Sequence, residues 1–381
     1  MRLLHTADWH LGRVFQQVSL LEDQRAVLDG VFERVVELAP DALIVAGDVF
    51  DRANPRREAI DVFDRFLGRV YSETAAAIVV IAGNHDAPER IGYGGALHDP
   101  DRVLIRGPID RGLAPLLVED AHGPVAISAL PFAGPFAARE HFGDDEIQTP
   151  EDVLRRQVDE ARERVPAGAR WVIAAHAFVQ GGTASESERA LDMIGTIETA
   201  SSAVFEGADY VALGHLHRAQ SVGAPQIRYS GSLMRYGFDE VDVGKSMTLL
   251  DLGAGGALEI QPIPLTSPRT LRVVEGLFDD IRKAGPEGNP EDFVKVRLLD
   301  TGSIPDAMNT LRTVYPNAVQ IEWAARPDAS TLTGEAQEHV RGRDPVDVFE
   351  AFFEDVTGGE LPSAPRQAMT GLVAELSRGE D

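Results

Sequence analysis

The sequence predicts an α/β sandwich, and three observations carry that prediction. Residues 1–220 alternate short apolar strands with amphipathic helices. Hydrophobic residues make up 44% of 381, enough to bury a sizeable core. Most of the apolar strands run directly into Asp, Asn or His, the place where α/β sheets keep their sites.

The first strand, Arg2 to Thr6, ends in Ala7-Asp8-Trp9-His10. Asp8 and His10 are two apart, so an extended backbone would turn both to one face. Leu21 to Leu38 reads as a helix with Val27, Val31, Val35 and Leu38 at helical spacing. The run Leu43-Ile44-Val45-Ala46 is a buried strand, and Gly47 turns it into Asp48-Val49-Phe50-Asp51-Arg52. Asn54 and Pro55 are expected to open the next helix, whose stripe is Ile60, Phe63, Leu67 and Val70. Strand Ala77 to Ala82 leads into Gly83-Asn84-His85-Asp86, and strand Trp171 to Ala175 into His176. Strand Tyr210 to Leu213 leads into Gly214-His215-Leu216-His217. Only Val125 to Leu130 ends without a ligand, in Pro131-Phe132. Thr149-Pro150-Glu151-Asp152 opens a helix as a capping box.

Composition narrows the function. With 36 basic and 61 acidic side chains the net charge is −25, which argues against a chain held on nucleic acid by phosphate attraction alone. A nuclease remains compatible, because bound divalent cations reverse the local field. No cysteine is present, so disulfides, thiolate ligands and a Cys nucleophile are out. The longest apolar run, Ala75 to Ala82, is too short to span a bilayer, and a soluble cytoplasmic protein is expected.

Asp8, His10, Asp48, Asn84, His176, His215 and His217 form the candidate ligand set. Carboxylate, carboxamide and imidazole without sulfur suit Mn²⁺, Fe or Zn²⁺. Seven ligands are too many for one ion and suit two that share a carboxylate, with Asp48 the expected bridge. Arg52 fits a phosphate contact, and Asp86 a hydrogen-bond partner behind the ligands.

In order, Asp-x-His, Gly-Asp-x-x-Asp-Arg, Gly-Asn-His-Asp, a lone His and Gly-His-x-His resemble the calcineurin-like metallophosphoesterases. That resemblance implies a four-layer sandwich; a small α+β capping domain is implied by the narrower resemblance below, and apolar periodicity adds a helical tail. The family resemblance implies two Mn²⁺ ions, with Mg²⁺ or another divalent metal possible. One would be held by Asp8, His10, Asp48 and His217, the other by Asp48, Asn84, His176 and His215. His85 would be the general acid, oriented by Asp51. The wider wording resembles the SbcD-type nucleases: Leu4 to Gly12, Val45 to Asp51, Ala190 to Thr196, Ala212 to Gln220, Tyr229 to Ser232, Phe238 to Glu240 and Gly244 to Ser246. It implies a 3′→5′ exonuclease on duplex ends, endonucleolytic on single strands and hairpins, associated with the nucleoid. Its partner would be an SbcC-like SMC/ABC-type ATPase with a long coiled coil, joined to a homodimer within a heterotetramer. A cyclic-nucleotide or phosphoprotein phosphoesterase is the alternative enzyme, and a non-catalytic scaffold the alternative of another class.

The expected division is 1–265 for the nuclease domain, 266–330 for the cap and 341–381 for a helical partner-binding tail. Pro262, Pro264 and Pro268 would mark the linker between the first two. In the cap, Leu271 to Val274, Phe293 to Leu298 and Ala318 to Trp323 read as strands, with helices at Leu277 to Ala284 and Pro305 to Val314. Val346, Phe349, Phe352, Phe353 and Val356 make one apolar stripe of the tail; Met369, Leu372, Val373 and Leu376 make a second.

Overall fold

The computed structural model describes residues 1–109, 114–189, 199–285, 288–302, 304–324, 344–357, 359 and 361–376. Two compact units divide the chain, Met1–Leu271 and Arg272–Asp381.

In the first unit β1 (Arg2–Thr6) leads to a small hairpin, β2 (Val14–Phe15) and β3 (Val18–Ser19), then α1 (Leu21–Leu38) and β4 (Ala42–Ala46). Gln16 and Gln17 turn the hairpin with φ of 47° and 69°, as a tight two-residue loop requires. α2 (Arg57–Glu73), β5 (Ala77–Ile81), α3 (Pro88–Ile91), β6 (Val103–Arg106), β7 (Leu116–Asp120) and β8 (Gly123–Leu130) follow. Next come α4 (Pro135–Phe142), α5 (Pro150–Arg162), β9 (Arg170–His176), α6 (Glu186–Arg189) and β10 (Tyr210–Gly214). β11 (Gln220–Val222), β12 (Ala224–Tyr229), β13 (Ser246–Leu252) and β14 (Leu258–Pro264) complete it.

These strands make two six-stranded sheets, ordered β14-β13-β1-β4-β5-β6 and β11-β12-β10-β9-β8-β7. Within each, four strands run parallel and the rest antiparallel at the edges. Strand alternation sends Leu3, Ile44, Val79 and Ile81 from one sheet and Ile127, Val172 and Ala212 from the other into one shared core. Opposite residues of the second sheet, Ala126, Trp171, Ile173 and Val211, pack with Leu154 and Val158 of α5. α1 and α2 lie side by side outside the first sheet, with α2 against β5. Helix, sheet, sheet, helix is the four-layer sandwich the sequence predicts.

Three local expectations change. α2 starts at Arg57 without a side-chain cap, and Asn54 instead accepts from Arg90 at 3.3 Å. Its buried centre is Ala59, Val62, Phe66 and Val70, with Ile60, Phe63 and Leu67 half-buried beside it. Pro262 and Pro264 belong to edge strand β14 rather than a linker. Two residues apart, both leave their missing N–H on the same side of the strand, which an edge tolerates.

His5 reaches from β1 to the second sheet, with Nδ1 2.9 Å from Tyr210 Oη and Nε2 3.2 Å from the Leu213 carbonyl. Burial, with the Arg228 charge behind it, pushes its pKa down to about 3. The unfolded chain binds a proton here near pH 6.5, so His5 contributes stability above that pH and loses it as pH falls toward 3. A His5→Gln variant should therefore gain on the wild type by about 1.4 kcal/mol per pH unit below 6.5. Paired denaturant titrations at pH 7.5, 6 and 5 measure this, and a pH-independent difference would refute it.

The second unit holds β15 (Leu271–Gly276, whose first residue closes the first unit), α7 (Phe278–Ala284), β16 (Phe293–Leu298), α8 (Ala307–Arg312) and β17 (Ala318–Trp323). The sheet order is β15-β16-β17, around Ile281, Val294, Val296, Leu298, Leu311 and Tyr315. α8 is shorter than the sequence predicts. α9 (Pro345–Thr357) and α10 (Ser363–Leu376) pack together, with Arg366 2.9 Å from Glu350. Phe352 and Leu372 stay exposed, whereas the Val356 and Leu376 side chains lie outside the described residues.

Candidate metal centre

The five ligand-bearing strand ends come from both sheets: β1, β4 and β5 from one, β9 and β10 from the other. They meet at Asp48. Its Oδ1 accepts from the His85 main-chain N–H at 2.9 Å and lies 3.5 Å from His176 Nε2. Its Oδ2 lies 3.6 Å from His10 Nε2 and 3.9 Å from His85 Nε2.

All seven predicted ligands are drawn into this cluster. His10 Nε2 and His217 Nε2 are 3.0 Å apart. Asn84 Oδ1 lies 2.9 Å from His176 Nε2 and 3.1 Å from His215 Nδ1. Asp8 Oδ1 accepts from the His215 N–H at 2.8 Å, tying the first motif to the last.

The backbone is strained to achieve this. Asp8, His10, Asp48 and His215 all have positive φ, at 53°, 47°, 49° and 114°. Non-glycine residues pay for such conformations only where the surroundings over-determine them, typically at functional sites. Gly83 has the opposite constraint: a Cβ there would sit 2.1 Å from Asp48 Oδ1 and 2.3 Å from its main-chain N. Gly83→Ala should therefore displace Asp48 and weaken divalent-metal affinity about 10–100-fold without removing a ligand. Isothermal calorimetry with Mn²⁺ reads this directly, and wild-type affinity would contradict it.

Buried groups hold the ligand turns. Asp86 accepts from the N–H groups of Val49, Phe50 and Gly83 at 3.1, 2.9 and 2.9 Å, clamping the Asp48 and Asn84 turns. Burial and the Asp48 charge push its pKa up to about 7. Gln24 of α1 donates to the Trp9 and His10 carbonyls at 3.0 and 2.7 Å and accepts from Gly12 N–H at 3.0 Å. Tyr236 donates to the Trp9 carbonyl at 2.6 Å and stacks edge-on against both His10 and His217. Behind His217, Lys245 Nζ donates to its carbonyl at 2.8 Å, to Ser232 at 2.9 Å and to Glu240 at 3.1 Å. Glu188 accepts from the His217 N–H, and burial pushes its pKa up to about 7.

Sequence reasoning assigned no role to Gln24, Tyr236, Glu188, Glu240 or Lys245. Gln24 did leave a signal, since it occupies the apolar stripe of α1 with Val27, Leu28, Val31 and Val35. Trp9 is packing, as its rings against Phe63 and Phe66 indicate.

His85 is one-fifth exposed, and its Nδ1 lies 2.9 Å from the main-chain carbonyl of Asp51. The orienting group is thus the Asp51 backbone rather than its carboxylate, which faces Arg13 and Arg52 at 3.4 Å each.

The donor set fits divalent cations. Asp8 Oδ2 is buried without a hydrogen-bond partner. His176 Nδ1 faces the Ala46 carbonyl at 2.9 Å and must donate to it, so the neutral ring presents an Nε2 lone pair to Asn84 Oδ1. A cation between them would turn this acceptor–acceptor contact into shared ligation. Burial pushes His176 and His215 down, the latter to about 3. It pushes His10 and His217 well below their ordinary value too. Asp8 is driven well above its own by burial and by Asp48. A dry pocket of neutral imidazoles and under-compensated carboxylates is a site for metal charge. Among the described residues, the His10-Asp48-His85 and Asp8-Asp48-His176 groups each bring their ligand atoms within 4.8 Å of one another.

Comparison with known proteins agrees. The family model of the calcineurin-like phosphoesterases matches residues 1–219. The SbcD C-terminal model, described as the type 5 capsule protein repressor C-terminal domain, matches residues 267–357. Among solved structures, the chain is similar to one titled "GAP50 the anchor in the inner membrane complex of Plasmodium", at 10% identity and a TM-score of 0.36, covering 87% of this chain and 98% of that one. No helix among the described residues is long and apolar enough to cross a membrane. The chain belongs to the calcineurin-like phosphoesterases, a family of metal-dependent hydrolases, and is an SbcD-type member of it.

Proposed function

We propose that this chain is a two-metal DNA nuclease that acts with an SMC-type ATPase. The observation that carries the reading is the convergence of the five strand-end motifs in one cluster around Asp48, with His85 at the same carboxylate. Asp8, His10 Nε2, Asp48 and His217 Nε2 would hold one ion. Asp48, Asn84 Oδ1, His176 Nε2 and His215 Nδ1 would hold the other. Two such ions, Mn²⁺ in this proposal, would supply the positive charge that holds the phosphodiester and acidifies the attacking water.

The protein residues do the rest. Gln24, Asp86 and Tyr236 keep the ligand turns in place, so little reorganisation accompanies the reaction. His85 protonates the leaving oxygen from Nε2. Because Nδ1 donates to the Asp51 carbonyl, the neutral ring has no proton on Nε2, and the acid is the doubly protonated ring.

DNA as substrate is supported by the SbcD-type wording of the motifs and by the matching C-terminal domain. The proposed activities are 3′→5′ exonucleolytic on duplex ends and endonucleolytic on single strands and hairpins. The α9–α10 pair, with Phe352 and Leu372 each 56% exposed, would dock on the root of the ATPase coiled coil. Tyr93 and Leu97, 87% and 90% exposed beside α3, would lie in a homodimer contact within a heterotetramer. The test is cleavage of an end-labelled linear duplex by the purified chain, with and without Mn²⁺. Mn²⁺-dependent loss of label is expected. Intact DNA beside efficient hydrolysis of a small phosphodiester would replace this reading with a small-molecule phosphodiesterase.

A further inference from the structure

One of the strand ends that carry no proposed ligand lies against the centre. β8 ends in Pro131-Phe132, beside the ligand-bearing end of its neighbour β9. The Phe132 N–H donates to the Ala82 carbonyl at 2.9 Å, directly before the Gly83-Asn84 turn. The Pro131 carbonyl accepts from buried Gln157 at 3.3 Å. Its backbone is thus fixed between the end of β5 and helix α5. The Phe132 ring stands perpendicular to that of His176, centroids 6.4 Å apart, and the residue is 37% exposed. A second half-buried aromatic, Phe178, lies 5.7 Å from the His215 ring. An anchored, part-exposed phenylalanine at the lip of a site made of carboxylates and imidazoles has no role in binding metal or moving protons. What it offers is a part-exposed aromatic ring beside His176, one of the proposed ligands.

We infer that Phe132 is a stacking platform for the nucleobase flanking the scissile phosphodiester. The inference rests on the nuclease reading and deepens it. Ligation and acid catalysis at the phosphate are blind to the base, whereas stacking on an aromatic ring accepts every base and rejects a sugar that lacks one. The enzyme should then be sequence-tolerant yet sensitive to a missing base. Stacking of this kind gives a rate advantage of roughly tenfold.

The experiment uses the full-length protein with Mn²⁺ and an end-labelled single strand carrying one central abasic residue, cut under single-hit conditions. Cuts at the phosphates flanking the abasic residue are counted relative to cuts elsewhere on the same strand. This internal ratio is independent of how much enzyme is folded or metal-loaded. In the wild type those cuts should be depleted roughly tenfold. Phe132→Leu keeps apolar bulk without a π-face and should flatten the profile, while Phe132→Trp should restore the depletion. A flat wild-type profile, or depletion that persists in Phe132→Leu, overturns the platform and leaves the nuclease reading standing. If the wild type leaves the strand intact while hydrolysing a small phosphodiester, the nuclease reading falls and takes the platform with it.

Discussion

His85→Gln should lower the rate of DNA cleavage by about 10²–10⁴-fold while Mn²⁺ binding stays within a few-fold of wild type. The asymmetry follows from position. His85 Nε2 is 3.9 Å from Asp48 Oδ2, close enough to serve a phosphate bound there, yet the seven proposed ligands would hold the metals without it. Its ring is aimed by a backbone carbonyl, so Asp51→Asn, which leaves that carbonyl in place, should cost far less than His85→Gln. Parallel measurements of kcat on an end-labelled duplex and of Mn²⁺ affinity by calorimetry separate the two effects. If His85→Gln lost metal and activity together, His85 would be a ligand rather than the acid. If it cut DNA at the wild-type rate, another group would protonate the leaving oxygen.

Lys245→Met should destabilise the first unit by about 3–5 kcal/mol, the cost of leaving a buried charge unpaired. Lys245 is 9% exposed and Glu240 is fully buried, with Nζ and Oε1 3.1 Å apart. Burial pushes the ammonium down while Glu240 pulls it up. Methionine fills a similar volume but strands Glu240 without a cation and frees the His217 carbonyl and Ser232. Thermal and denaturant unfolding measure the loss. A second substitution, Glu240→Gln, should recover much of it, because the penalty belongs to the uncompensated carboxylate more than to the missing lysine. A loss under about 1 kcal/mol in the single variant, or no recovery in the double, would show that the pair is not the support behind His217.

Much of the site was legible because its signals are local. A strand that ends in Asp, Asn or His announces itself in a few residues, and α1 was delimited by apolar spacing alone. The same local logic failed where a distant part of the chain decides. Asn54 looked like a helix cap, but the chain stays extended to Arg56 and Arg90 takes the Asn54 side chain. Pro262 and Pro264 looked like linker residues because proline normally interrupts a strand, and nothing local says that β14 lies at an edge. Asp51 was paired with His85 by resemblance, and only the structure shows that its main-chain carbonyl makes the contact, since no sequence pattern says which atoms of a turn face inward.

By itself the sequence determined the alternation of strands and helices, the seven candidate ligands in their order, and the absence of any thiol chemistry. Each follows from periodicity, composition or the spacing of neighbours, which a linear string preserves. Only the tertiary structure decided that three ligand strands belong to one sheet and two to the other, so that facing the sheets completes the centre. It alone placed Gln24, Tyr236 and Lys245 around ligand turns far away in the chain, at positive φ that no isolated peptide would keep. The physical reason is one of range. Side-chain periodicity is set within a turn or a pleat, whereas burial, desolvation and the satisfaction of buried polar groups depend on segments that meet only after folding.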